Sequence, residues 1–237
     1  MKKHIPNFIT ALNLISGFGA ILCTLSGEIH TAAYLVILAA ILDFLDGMSA
    51  RILNAYSELG KQLDSLADLV SFGVAPALIF TSHILGEIGK GEDLTTITAF
   101  TFIEYITIIS PVLLVVASAF RLARFNLDSQ QENVFKGLPT PASGLFFASI
   151  AFTNEISWHP ILLLVLPLIF AFLMTSNIPM YSLKIKNLSD PRMIVTGFLI
   201  LSAIIVLFVF SVKYIFVIII LYIFISLVLP LFTNTKT

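Results

Sequence analysis

Runs of about 20 apolar residues recur along this chain, each ended by turn-forming residues, and they limit the fold more than any other feature. A helix rising 1.5 Å per residue needs about that length to cross the ~30 Å hydrocarbon layer of a bilayer. Eight segments qualify, over 8–26, 32–53, 60–86, 97–123, 139–156, 159–177, 194–211 and 213–232. Gly27, the glycines from Gly86 to Gly91, the Pro139/Pro141 pair, Pro160, Asn177 with Pro179, and Asp190-Pro191 mark the breaks. Hydrophobic residues make up 58% of the chain and charged ones 11%, against roughly 25% charged in soluble domains. A water-soluble interior cannot hide that much apolar surface. The expected fold is an all-α polytopic membrane helix bundle, one domain over 1–237 with about eight transmembrane helices.

Loop charge gives an orientation. With the N-terminus inside and every segment crossing, 11 of the 13 Lys and Arg residues fall on the inner side, leaving Lys90 and Lys213 outside. Both termini are then expected in the cytoplasm of a bacterial-type membrane. Lys2 and Lys3 before the first apolar run imitate a signal peptide. The run is longer than the usual ~7–15 residues and no small-residue cleavage site follows, so a retained span is expected. Cys23 is the single cysteine, which excludes an internal disulfide, and the four His show no metal-ligand spacing. No basic arm or aromatic-basic interleaving suggests nucleic acid as a partner; membrane lipids are expected to surround the chain.

Charged side chains inside membrane helices are costly and mark candidate functional sites. Asp43 and Asp46 stand three residues apart near the end of the second segment, and Asp64 and Asp68 four apart near the start of the third. Each pair shares a helix face. The short link between the segments makes them antiparallel neighbours, so all four carboxylates meet at one depth near the inner leaflet. Anions that close repel unless a cation sits among them, and a hard divalent ion with oxygen ligands, Mg²⁺ or Mn²⁺, suits that set. Such an ion commonly accompanies a phosphate substrate, which Arg51 and Lys61 on the same connection could meet. Gly47 in a helix interior costs about 1 kcal/mol against Ala, a cost explained if a bulky ligand approaches the backbone there.

The stretch Asp43-x-x-Asp46-Gly47-x-x-Ala50-Arg51, eight residues, Gly60-x-x-x-Asp64-x-x-x-Asp68 resembles the complete signature of the CDP-alcohol phosphotransferases. The resemblance implies transfer of a phosphatidyl-type group from a CDP-linked lipid to an alcohol with release of CMP. It also implies Asp43, Asp46 and Asp64 as metal ligands, with Asp68 both a possible ligand and the general base. Gly47, Ala50, Arg51 and Gly60 would line the nucleotide and diphosphate pocket. A six-helix core over about 5–177 and a homodimer are implied as well, leaving two extra helices within about 194–232. Pro6-Asn7-Phe8-Ile9-Thr10-Ala11-Leu12-Asn13 is similar to the family's first helix. Asn7 and Thr10 are candidate substrate contacts, with helix capping and interhelical bonding the equal alternative for Asn7, Thr10 and Asn13.

Two later stretches, Arg121-Leu122-Ala123-Arg124-Phe125-Asn126 and Phe135-Lys136-Gly137-Leu138-Pro139-Thr140-Pro141, resemble the bacterial branch that transfers from CDP-diacylglycerol to L-serine. Arg121, Arg124 and Lys136 are then candidates for the acceptor's carboxylate, or plain positive-inside anchors. Glycerol 3-phosphate or inositol are the rival acceptors. A cation transporter using the same carboxylates is the rival of another class. The lack of an internal repeat and the placement of all four Asp near one leaflet speak against it.

Overall fold

The computed structural model describes residues 4–88, 100–127, 135–153, 156–180 and 214–232, with side chains to 228 in the last stretch. It is a helical membrane bundle. Helix α1 (Ile5–Leu25) turns at Ser26–Glu28, where Gly27 adopts φ 79°, into α2 (Ile29–Ile52). The two pack along their length on small side chains: Ala20, Ala32, Ala33, Val36 and Ala39 are all fully buried. Small residues let helix backbones approach closely where lipid removes the ordinary hydrophobic drive. Ser16 Oγ closes the hairpin by donating to Leu35 O at 2.8 Å.

The third apolar segment is one 30-residue span, Glu58–Glu87, with a change of winding inside it. Helix α3 (Glu58–Asp68) passes directly into a π-helical stretch, Leu69–Val74, and then into α4 (Ala75–Glu87). Ser57 caps α3 by accepting from Gly60 N at 3.0 Å. A π turn carries an extra residue and shifts the side chains that follow; such turns cluster at functional sites. Here tertiary contacts hold it. A Cβ at Gly17 of α1 would come within 2.7 Å of Ser71 Cα, and a Cβ at Gly144 within 2.8 Å of Phe72 Cα. Ser71 Oγ also donates to Asn13 O at 3.1 Å.

The fourth span, Phe102–Leu127, breaks at Ser110-Pro111 into α5 (Phe102–Ile109) and α6 (Val112–Leu127). The fifth, predicted over 139–156, forms α7 (Thr140–Ile150), whose 11 residues cover about 16 Å, half the hydrocarbon thickness. Buried among its neighbours, α7 supplies Phe146 and Phe147 to an aromatic core with Phe80 of α4 and Phe170 of α8 (Pro160–Thr175). Strands β1 (Phe135–Lys136) and β2 (Pro179–Met180) pair antiparallel and tie the chain before α7 to the chain after α8. The predicted seventh span, 194–211, lies outside the described residues, and the eighth is α9 (Ile215–Phe232). Four of the described helical spans are long and apolar enough to cross a membrane, and the chain is an integral membrane protein.

Candidate active site and metal centre

The α2–α3 hairpin brings the carboxylates together. Asp43, Asp64 and Asp68 each offer an oxygen within 4.8 Å of the others. Asp46, one helical turn on from Asp43, is 5% exposed and lies beside them on the wall of a cavity of about 180 Å³. Among the described residues no Lys or Arg forms an ion pair with any of the four. Asp46 Oδ2 and Asp64 Oδ1 are buried without a hydrogen-bond partner. Buried acceptors are ordinarily satisfied, and anions in such proximity repel strongly at the low dielectric of a membrane interior. Converging, unsatisfied carboxylate oxygens fit a hard divalent cation.

Helix α1 supplies the other wall. Asn13, fully buried, donates from Nδ2 to Asp68 Oδ1 at 3.3 Å. A carboxylate only accepts, so the amide NH₂ must face Asp68, and Asn13 Oδ1 is left without a partner. Thr10, whose hydroxyl donates to Pro6 O at 3.0 Å, sits against Asp46. Asn7 and Thr10 line the cavity with Gly47, Ala50, Gly60 and Lys61. Tyr56 and Ser57 from the α2–α3 link join them and carried no signal in the sequence. A Cβ at Gly47 would meet no atom within 4 Å and would stand in open space. At Gly60 it would lie 2.9 Å from Asn7 Oδ1, so the glycine lets α3 approach α1.

The basic residues divide. Arg51 is exposed and is not among the residues lining the cavity, whereas Lys61 is. Lys61 Nζ donates to Asn126 O at 2.9 Å, and Asn126 Nδ2 donates to Ser65 Oγ at 2.9 Å, so the end of α6 is fastened to the start of α3. Arg121 interacts electrostatically with Asp43 and Asp68, donates to Thr140 Oγ1 at 3.2 Å and lies 5.7 Å from the Phe125 ring centre. Arg124 instead donates to Thr175 O and Asn177 Oδ1, bracing the end of α8. Lys136 is exposed on β1. Of the three candidate acceptor residues, only Arg121 interacts with the carboxylates.

A model of the CDP-alcohol phosphatidyltransferases matches residues 3–181, a stretch that holds all four Asp and both walls of the cavity. The chain belongs to this family. Among CDP-alcohol phosphatidyltransferases and related proteins, it is 35% identical over 176 residues to the CDP-diacylglycerol–serine O-phosphatidyltransferase of Bacillus subtilis, covering 74% of this chain and 89% of that one. It is 32% identical over 152 residues to the archaetidylserine synthase of Methanothermobacter thermautotrophicus, covering 63% of this chain and 58% of that one. With the Saccharomyces cerevisiae CDP-diacylglycerol–serine O-phosphatidyltransferase it shares 34% over 194 residues, 68% of this chain and 64% of that one. The chain thus spans less than two thirds of the archaeal and yeast proteins. The matched family segment ends before α9.

Proposed function

We propose that this family member is a CDP-diacylglycerol–serine O-phosphatidyltransferase, which moves the phosphatidyl group of CDP-diacylglycerol to the hydroxyl of L-serine and releases CMP. The observation that carries the reading is the family's carboxylate set, assembled in one membrane-embedded cluster in a chain whose relatives are named for serine. Asp43, Asp46 and Asp64, with Asp68, would hold Mg²⁺ or Mn²⁺, which when bound would supply positive charge for the diphosphate and the departing CMP.

The chain's own side chains do the rest. Lys61 and the open face of Gly47 receive the diphosphate, with Asn7, Thr10, Ala50 and Gly60 around the nucleotide. Arg51, exposed at the end of the same hairpin, meets the nucleotide only from outside that wall. Arg121 holds the carboxylate of serine. Asp68, oriented by Asn13, takes the hydroxyl proton as the serine oxygen bonds to the phosphorus on the lipid side. The bond from that phosphorus to the bridging oxygen breaks, and the oxygen leaves with CMP. A carboxylate is a weak base for an alcohol, so the proton moves late in the attack.

The charge asymmetry of the loops supports a cytoplasmic site and cytoplasmic termini in a bacterial-type membrane. A single domain over 1–237, with its catalytic core at about 5–177 and a homodimer as the working unit, completes the proposal. Purified protein given Mg²⁺ or Mn²⁺, CDP-diacylglycerol and one acceptor at a time tests it. Phosphatidylserine and stoichiometric CMP are expected with L-serine; CMP release only with glycerol 3-phosphate or inositol would reassign the acceptor. Full activity in excess chelator would refute the metal centre.

A further inference from the structure

Asn126 ends the stretch Arg121–Asn126, and the proposed reaction gives it no task. It stands in the last turn of α6, where main-chain carbonyls have no partner within the helix. Its own carbonyl accepts from Lys61 Nζ at 2.9 Å. Its side chain crosses the same gap, Nδ2 donating to Ser65 Oγ at 2.9 Å and to Gln62 Oε1 at 3.4 Å. The Ser65 hydroxyl donates in turn to Lys61 O at 3.2 Å. The bonds close a ring, from Lys61 to Asn126, from Asn126 to Ser65 and from Ser65 back to Lys61. Ser65 gives its one proton to Lys61 O and can only accept from Asn126, which fixes that amide with Nδ2 toward α3.

Lys61 lines the cavity and stands one helical turn before Asp64. The carboxylates are natural partners for a lysine so placed, yet among the described residues it forms no ion pair. Its ammonium rests on a neutral carbonyl at the negative end of α6 and keeps two further N–H donors for an anion. We infer that Asn126 is a positioning residue for the CDP-linked lipid. Its side-chain bond to Ser65 fixes the carbonyl that holds Lys61 at the cavity, off the carboxylates and ready for a diphosphate. A long side chain ordered in advance need not be ordered when substrate binds. The inference rests on the reading of Lys61 as a diphosphate contact.

The test is steady-state kinetics on the full-length protein. Asn126→Leu keeps the bulk of the side chain and removes its hydrogen bonds. The KM for CDP-diacylglycerol should rise about fivefold, the scale of leaving one long side chain to be immobilised on binding, while the KM for L-serine stays put. Ser65→Ala opens the ring at another corner and should act the same way, by less; it carries the test should Asn126→Leu fail to fold. In a Lys61→Met background, Asn126→Leu should add little, because it acts through the ammonium. A joint that merely holds α6 to α3 would instead lower the melting temperature and weaken both substrates alike. That pattern, an unchanged KM for CDP-diacylglycerol, or full additivity with Lys61→Met would overturn the inference. Lys61→Met alone tests the reading beneath it. An unchanged KM for CDP-diacylglycerol there would remove Lys61 from the diphosphate, and the inference with it. A raised KM there, beside an unaffected Asn126→Leu, would sink the inference alone.

Discussion

In the proposed mechanism, Asp68 and Gly47 are the two single positions on which most of the chemistry would depend. Asp68 is 6% exposed and tied to Asn13, so Asp68→Asn preserves shape while removing the negative charge and the ability to take a proton. Turnover should fall at least about a hundredfold, in line with loss of a general base, while Mn²⁺ binding followed by paramagnetic resonance weakens less. Equal loss of both would make Asp68 a metal ligand only. Gly47 is the converse case, a residue whose missing side chain matters. The space beside it is open, so Gly47→Ala meets no protein atom and should gain helix stability of up to about 1 kcal/mol. CMP release should nonetheless drop tenfold or more as the methyl enters the cavity; an unaffected rate with a raised melting temperature would place the diphosphate elsewhere. The carboxylates and Gly47 could be found in the sequence because each broke a rule, charge in a membrane helix or glycine within one. Tyr56 and Ser57 broke none. Their places in the cavity come from the path of a five-residue link, with Asn54 at φ 48°, which no local pattern encodes.

At the scale of elements, hydropathy located most of the described spans to within a few residues, since lipid contact demands apolar length wherever a helix crosses; the fifth, expected over 139–156, forms only the 11 residues of α7, which is buried among its neighbours. Hydropathy could not show how a span is wound. The π stretch after Asp68 arises from contacts distant in sequence, Ser71 with Asn13 O and Gly17 with Ser71, which no window of neighbouring residues records. Gly17 provides the sharper check on the π stretch. A Cβ there would collide with the Ser71 backbone, whereas one on Gly19 would touch only the tip of Leu35 at 3.4 Å. Gly17→Ala should therefore lower the melting temperature and reduce activity with it, at a cost of about 1–3 kcal/mol for overpacking. Gly19→Ala should be neutral or slightly stabilising. Similar behaviour of the two variants in thermal unfolding would mean that α1 does not clamp the π stretch.

For the molecule as a whole, the geometry sets the α1–α2 turn and the α2–α3 link at opposite ends of α2, the second of them beside the carboxylates. One face of the membrane therefore receives the turn and the other the site. CDP-diacylglycerol presents its nucleotide to one aqueous phase while its acyl chains stay in the bilayer, so the side on which the link opens decides which pool of serine the enzyme uses. Basic residues retained on the inner side predict the cytoplasm. Ser26 in the turn and Leu59 at the start of α3 are both exposed, Leu59 at 73%, and neither lines the cavity. With Cys23, the single native cysteine, changed to Ser, Ser26→Cys and Leu59→Cys become paired reporters. A membrane-impermeant maleimide added to intact cells should label Ser26→Cys and spare Leu59→Cys until the membrane is opened. The reverse pattern would put the carboxylates on the outer face. It would also sever the link between loop charge and orientation on which the cytoplasmic site depends.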